Sequence, residues 1–375
     1  MRLSLTPSVS TKDGTSNKNA RLTNCLKESK KSGDMAVIRP GLVLDAVASG
    51  VGNGLVSFNG ELVSVYGANL YTDLSWARTV ELSEYGNWTG IEFNGTTFCA
   101  VSSGSDVATV STDGVNWTSK TLPSSQSWYG VAWDGTKFCT INQSAPVVAT
   151  SSDGDTWASK SILGSTESWS DIAGGDGKFV AVIGSSSKTA YSSDHGDTWT
   201  QAAMPSSANW NSIAYGNGVF CAIGGTGTKA ATSATGATWQ ARTLPASASW
   251  DSIAWNGTVF CAVARDSGKC AVSTDGASWT LGTIPTSSFN GVLAAQYGGG
   301  EFFCVASLSS VGLTSTDGLT WTEKTLPSSS VVVCVAGSTT TFVAPIDASS
   351  TAFVTGLIPT ATVTGTSFDF AQSPL

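Results

Sequence analysis

Charge is scarce in this sequence. Lys, Arg, Asp and Glu make up 12% of its 375 residues, against about 25% in typical soluble proteins. Histidine occurs once, as His195. Without a second histidine, the usual general-base and metal-ligand sets lack their common member. Beyond residue 42 only three arginines remain, Arg78, Arg242 and Arg265. No apolar run approaches the ~18 residues of a membrane-spanning helix. The opening Met1-Arg2-Leu3-Ser4-Leu5-Thr6-Pro7 contains no hydrophobic stretch of secretory length, so we expect a protein made and kept in a cytoplasm. The eight cysteines show no CxxC or Cys/His spacing that would suggest zinc.

Ser, Thr and Gly fill the place of charge, a composition that suits strands and turns. They are organised by one heptapeptide, Ser273-Thr274-Asp275-Gly276-Ala277-Ser278-Trp279. It returns at 111–117 and 315–321, with variants at 152–157 and 193–199. Worn copies stand at 233–239, without the Asp, and at 71–76, without the Gly. The closing tryptophans, Trp76, Trp117, Trp157, Trp199, Trp239, Trp279 and Trp321, are spaced by 41, 40, 42, 40, 40 and 42 residues. A fixed period near 40 signals a propeller or another repeat array. In each box the Asp (Asp113, Asp153, Asp194, Asp275, Asp317) accepts from backbone N–H groups two residues on, and the Gly supplies a positive φ for a tight hairpin. The role expected for these Asp and Trp residues is structural.

Around each box the sequence lays down four strands. The first ends in Asn-Gly or Asp-Gly, as in Ile91-Glu92-Phe93-Asn94-Gly95 and Val131-Ala132-Trp133-Asp134-Gly135, a strong hairpin signal. The second opens on Phe, the third leads into the box, and the fourth starts at the box Trp. Several fourth strands reach Leu-Pro, at Pro123, Pro245 and Pro327, where proline is expected to stop an edge strand. Four strands in about 40 residues make one propeller blade. A second tryptophan register, Trp88, Trp128, Trp169, Trp210 and Trp250, opens the blades; only Trp133 and Trp255 lie outside the two registers. Each buried Trp removes ~150–250 Å² from water, a gross upper bound of roughly 4–6 kcal/mol. Five cysteines, Cys99, Cys139, Cys221, Cys261 and Cys304, follow the second-strand Phe, where other copies have Val180 and Val343. That interchange calls for a small apolar side chain, not a disulfide.

The fold class expected is therefore an all-β propeller of four-stranded blades. Counting second strands gives eight, with a strand at 43–47 closing the last; seven is the alternative if an end unit is not a blade. Residues 1–42 form a basic N-terminal arm, 43–356 the propeller and 357–375 a tail. A short helix is expected within 20–29. The arm holds eight basic and three acidic residues in its first 40, leaving 11 basic and 24 acidic in the rest. Such asymmetry points the arm, with Arg21, Lys27, Lys30, Lys31 and Arg39, toward an acidic partner surface or nucleic acid.

Two resemblances add to this reading. The heptapeptide resembles the Asp-box of sialidase-like propellers, which in that family is a folding element away from the active site. The sialidase site implied by that family needs an arginine triad, a Tyr with a Glu partner and an Asp acid. Arg78, Arg242 and Arg265 do not supply the triad, since Arg78 and Arg242 fall on outer strands. No catalytic, metal or cofactor residue is therefore assigned. His195 is expected to be a solvated turn residue, Asp171 and Asp176 carry no motif, and Gly298-Gly299-Gly300 reads as a turn. The second resemblance rests on an ordered set: Asn24, Glu28, Gly33, Arg39-Pro40-Gly41-Leu42, Ser49-Gly50-Val51-Gly52-Asn53-Gly54, Phe58-Asn59-Gly60-Glu61-Leu62, Val65-Tyr66-Gly67 and Leu70-Tyr71. It is similar to the start of the tail nozzle, or packaged-DNA stabilization, proteins of short-tailed bacteriophages. That resemblance implies a virion protein assembled in the host cytoplasm, in a homo-oligomeric ring, usually a hexamer. The ring sits below the portal and adaptor proteins, can contact a fibre or tail tip protein, and passes genomic DNA through its lumen without sequence readout. The alternative function is a receptor- or glycan-binding propeller of a phage fibre, or a lectin.

Overall fold

The computed structural model describes residues 77–355 apart from 164–165, 266, 286–290, 296–299, 307–308 and 340; in 1–76 and 356–375 it describes short strands only. The chain divides into two units, Ala77–Thr355 and a second made of Met1–Trp76 with Gly356–Leu375. Among the described residues every regular element is a strand.

Backbone pairing divides Ala77–Thr355 into seven antiparallel four-stranded sheets, or blades. Blade 1 runs 88–93, 98–103, 107–110 and 118–121 from inner to outer strand. Blade 2 begins within the strand Thr118–Trp133 and continues through Phe138–Asn142, Val147–Ser151 and Ala158–Ser161. Blades 3 to 6 repeat the pattern, with inner strands Trp169–Gly175, Trp210–Gly216, 250–255 and Gly291–Ala295. The inner strands contact one another in sequence order, and the short inner strand of blade 7, Ala336–Gly337, contacts both Gly291–Ala295 and Ala77–Phe93. The ring is thereby closed.

Blade 7 has inner, second and third strands at Ala336–Gly337, Phe342–Pro345 and Ser349–Thr355 but no box, and so no outer strand of its own. Residues 77–81 supply it, pairing Ala77 with Thr355 through Glu81 with Thr351. The sequence reading correctly required an N-terminal strand here but placed it at 43–47, which lies outside the described residues. The physical reason for 77–81 is its position: it follows Trp76 directly, as an outer strand follows every box. The copy at 54–72 that raised the count to eight lies in the other unit, where Gly54–Phe58, Glu61–Tyr66, Asn69–Thr72 and Pro359–Thr362 form a separate four-stranded sheet. That unit also has strands at Arg21–Leu22 and Leu26–Ser29, where a helix was expected.

Proline does not stop the outer strands. Thr118–Trp133 runs through Pro123 and Gln240–Trp255 through Pro245. The ladder instead skips, with Val107 opposite Thr121 and Ser105 opposite Gln126. Leu122 is buried within the skip while Pro123 faces out, so proline sits where no ladder N–H is needed.

The core lies between blades. Trp88, Trp128, Trp169, Trp210 and Trp250 are at most 1% exposed, as are the second-strand residues Phe98, Phe138, Phe179, Phe220 and Phe260. One cluster joins Cys139, Ile141 and Val148 of blade 2 to Trp169, Ile172 and Phe179 of blade 3. Seven described cysteines are free and buried. Burial pushes the Cys99, Cys139, Cys221, Cys261 and Cys304 thiols well above their ordinary range.

Candidate functional site

The boxes are built as their residue types require. In blade 1 the Ser111 hydroxyl donates to Asp113 Oδ1 at 3.0 Å and accepts from the Gly114 N–H at 2.8 Å. Asp113 Oδ1 also accepts from the N–H groups of Val115 and Asn116, both at 2.8 Å. Asp153, Asp275 and Asp317 accept in the same way, and Asp194, with one inserted residue, accepts from Thr198. Backbone hydrogen bonds, led by those of Thr156, Ser278 and Thr320, hold the Asp153, Asp275 and Asp317 carboxyls below the usual range. At Asp113 and Asp194 burial pushes upward, and backbone and side-chain hydrogen bonds, from Asn116 and Thr198 respectively, outweigh it. Every described box Trp, from Trp117 and Trp157 through Trp199, Trp239, Trp279 and Trp321, donates its indole N–H to the carbonyl of its own box glycine. Outer strands begin one residue after the Trp.

What the boxes touch is the preceding blade. A Cβ on Gly276 would come within 2.8 Å of Thr232 and 3.0 Å of the Cys221 sulfur; one on Gly318 would come within 2.6 Å of Val272 and 3.1 Å of the Cys261 sulfur. The small side chain after the second-strand Phe in blades 4 and 5 is therefore set by the next blade's box. In blade 6 the Phe in register is Phe302, so Phe303 holds that position, packed on Phe342 of the boxless blade 7, and Cys304, expected there, lies one residue further on. His195 belongs to this system and is not a free turn residue. At φ 62° it brings Nδ1 to 2.8 Å from Asp134 Oδ2, on the neighbouring blade, and the Asp134 side chain is fully buried. Residue spacing gave no sign of this contact, because its two members are 61 positions apart.

A second set of polar groups lines the axis, on the inner strands just after the buried tryptophans. Thr89 and Ser170 donate their hydroxyls to the carbonyls of Trp128 and Trp210 on the following blade. Asn211 donates to the Trp250 and Asp251 carbonyls, at 3.4 and 3.0 Å. One position further on, Asp171 Oδ2 accepts from the Ser212 hydroxyl at 2.8 Å and the Ile213 N–H at 3.0 Å. Asp251 accepts from Arg265 Nη2 at 2.5 Å. The contacts of Thr89, Ser170, Asp171 and Asn211 form a collar that ties the inner strands of blades 1, 3 and 4 to the next, while Asp251 and Arg265 pair within blade 5.

Glu92 departs from the pattern. The matching positions in blades 2 to 5 and 7 are Ala132, Ala173, Ala214, Ala254 and Ala336, all buried. Glu92 accepts from the Phe93 N–H at 2.9 Å. Burial, with the charge of Asp171 added, pushes its carboxyl up to about 7, and burial pushes Asp171 to about 6. The two axial carboxyls are thus poised near neutrality, in the range where proton exchange is functional in many sites. Sequence reading missed Glu92, although its replacement of Ala in the aligned repeats is a visible signal. Among the described residues no group of three or more His, Cys, Asp or Glu is placed to hold a metal ion. Of the two arginines whose side chains are described, Arg265 serves Asp251, and Arg242, on an outer strand, donates to Gln240 beside it and to Thr232 of the adjacent third strand. Lys30, Lys31 and Arg39 of the arm lie outside the described residues, and of Arg21 and Lys27 only the strands are described.

No family model matches the chain, and no curated protein matches it in sequence. Solved structures do match. Virginiamycin B lyase from Staphylococcus aureus is similar over 75% of this chain and 99% of its own, at 10% identity and a TM-score of 0.65. YCF48 from Cyanidioschyzon merolae matches over 75% and 99%, at 14% identity and a TM-score of 0.59. The Swd1 β-propeller domain from Myceliophteria thermophila matches over 74% and 98%, at 10% and 0.58. The shared feature is the β-propeller; a fold this widely reused does not assign an activity.

Proposed function

We propose that the protein is a structural virion component of a short-tailed bacteriophage, a tail nozzle. In this reading it closes the portal–adaptor channel, retains packaged DNA and lets it pass on ejection. The observation that carries the reading is the pairing of Pro359–Thr362 with Asn69–Thr72. The chain that follows the propeller returns to the stretch bearing the nozzle-like motifs, so the propeller is an insertion into the motif-bearing unit. The charge asymmetry supports it: a basic arm suits docking to an acidic partner, and an acidic remainder disfavours gripping DNA. The reading places a ring of subunits, a hexamer by resemblance, beneath the adaptor, and assigns no catalysis.

Immunogold labelling of virions with antibody to residues 90–320 tests it. Label on the tail axis is expected. Label on peripheral fibres would replace the nozzle with a receptor-binding propeller, and unlabelled particles would overturn both.

A further inference from the structure

The ring's seam carries a groove. At the next two junctions a long cation of the outer strand reaches an acid just after the following box glycine. Lys120 meets Asp155 at 2.6 Å and Lys160 meets Asp197 at 2.9 Å. Each lysine stands three residues after a box Trp. At the seam the residue three after Trp76 is Thr79, and the residue after the box Gly114 is Val115. Both members of the ion pair are replaced by short side chains, and a groove of about 480 Å³ opens between them, within the ~300–1,000 Å³ range of small-molecule sites.

Its lining combines one flat aromatic with a polar rim. Trp117 lies half-buried, its indole N–H held by Gly114, with Val80, Leu82 and Val115 as apolar floor. Around it stand the hydroxyls of Thr79 and Ser83, the Asn116 amide and the Glu81 carboxylate. Glu81 is the sole ionisable group of the lining, so an anionic ligand is disfavoured. An indole face takes the C–H face of a pyranose, and hydroxyl, amide and carboxylate groups exchange hydrogen bonds with its hydroxyls.

We infer that this seam groove binds a neutral saccharide. The inference uses residues 79–117 alone and stands whether or not the nozzle reading holds. The test is saturation-transfer NMR and titration of the full chain with maltotriose, chitotriose and globotriose, and with spermidine as a cationic control. At least one trisaccharide is expected to bind. The double variant Thr79→Lys/Val115→Asp restores the ion pair of the neighbouring junctions and fills the groove, and should weaken binding by about tenfold or more at unchanged thermal stability. Asn116→Ala, at an exposed position, should weaken it less. Absence of binding by all three trisaccharides would overturn the proposal. So would binding that survives both variants, or a preference for spermidine.

Discussion

If the boxes act as contacts between blades, substituting their glycines should cost more than backbone strain. Gly318 and Gly218 test this as a pair. Both have positive φ, 71° and 76°. An alanine at either is strained by about 1–2 kcal/mol, the cost of the left-handed region. A Cβ at Gly218 meets nothing within 4 Å, whereas at Gly318 it lies 2.6 Å from Val272 Cγ1 and 3.1 Å from the Cys261 sulfur. Overpacking of this kind costs about 1–3 kcal/mol more. We therefore expect Gly218→Ala to lose about 1–2 kcal/mol and Gly318→Ala about 2–5 kcal/mol. Urea unfolding of the full chain, followed by tryptophan fluorescence, measures both. In a Val272→Ala background the Gly318 substitution should cost less, because its nearest clash is gone. Equal losses at the two glycines, or no coupling to Val272, would refute the inter-blade role.

The axial carboxyls give a pH prediction of definite sign. Glu92 and Asp171 have folded pKa values above their unfolded ones, so the native state binds more protons, and their contribution to stability falls as pH rises from about 4 to about 7. Glu92→Gln should melt above the parent chain at pH 8 and level with it at pH 4. The box carboxyls act oppositely: the stability they contribute is present above the usual carboxylate range and is lost as pH falls through their depressed values. Asp317→Ala should therefore cost about 1–2 kcal/mol at pH 7 and progressively less toward pH 2 in the same melts. Asp134→Ala leaves the Thr136 and Lys137 N–H groups and His195 without their acceptor, and should cost about 2–3 kcal/mol in urea unfolding. Cys99→Val should cost less than about 1.5 kcal/mol, because Val180 and Val343 already occupy that repeat position; thermal melting checks it.

The parts of the fold legible in the sequence are those that recur within one blade. An Asp that accepts from N–H groups two to three residues on, a Gly beside it and a Trp closing the box produce local hydrogen bonds that the well-formed copies repeat, so spacing alone located them. Ring closure is not local. Three strands at the end of the chain needed a fourth, but which N-terminal segment supplies it depends on register across more than 270 residues. The phase of the boxes held the answer in Trp76, since an outer strand follows every box Trp. The axial collar was less legible. Thr89, Ser170, Asp171 and Asn211 are unlike one another, and their common task of reaching the next blade is visible only when the inner strands are brought together.

The same comparison separates repeats that hold the ring together from positions free to do something else. At the two junctions that follow blade 1 and blade 2 the residue after the box glycine and the residue three after the preceding box Trp form an ion pair, Lys120 with Asp155 and Lys160 with Asp197. Thr79 and Val115 face each other without such a pair, and Glu92 stands where the other described blades have alanine. Both departures involve blade 1, next to the seam, where the outer strand of the last blade comes from the start of the ring. A repeat array copies its structural contacts into every unit. Function specific to this chain is therefore best sought where blade 1 breaks the copy, at the seam groove and at Glu92. The shared boxes and the tryptophan lattice, present in every well-formed blade, account for the fold.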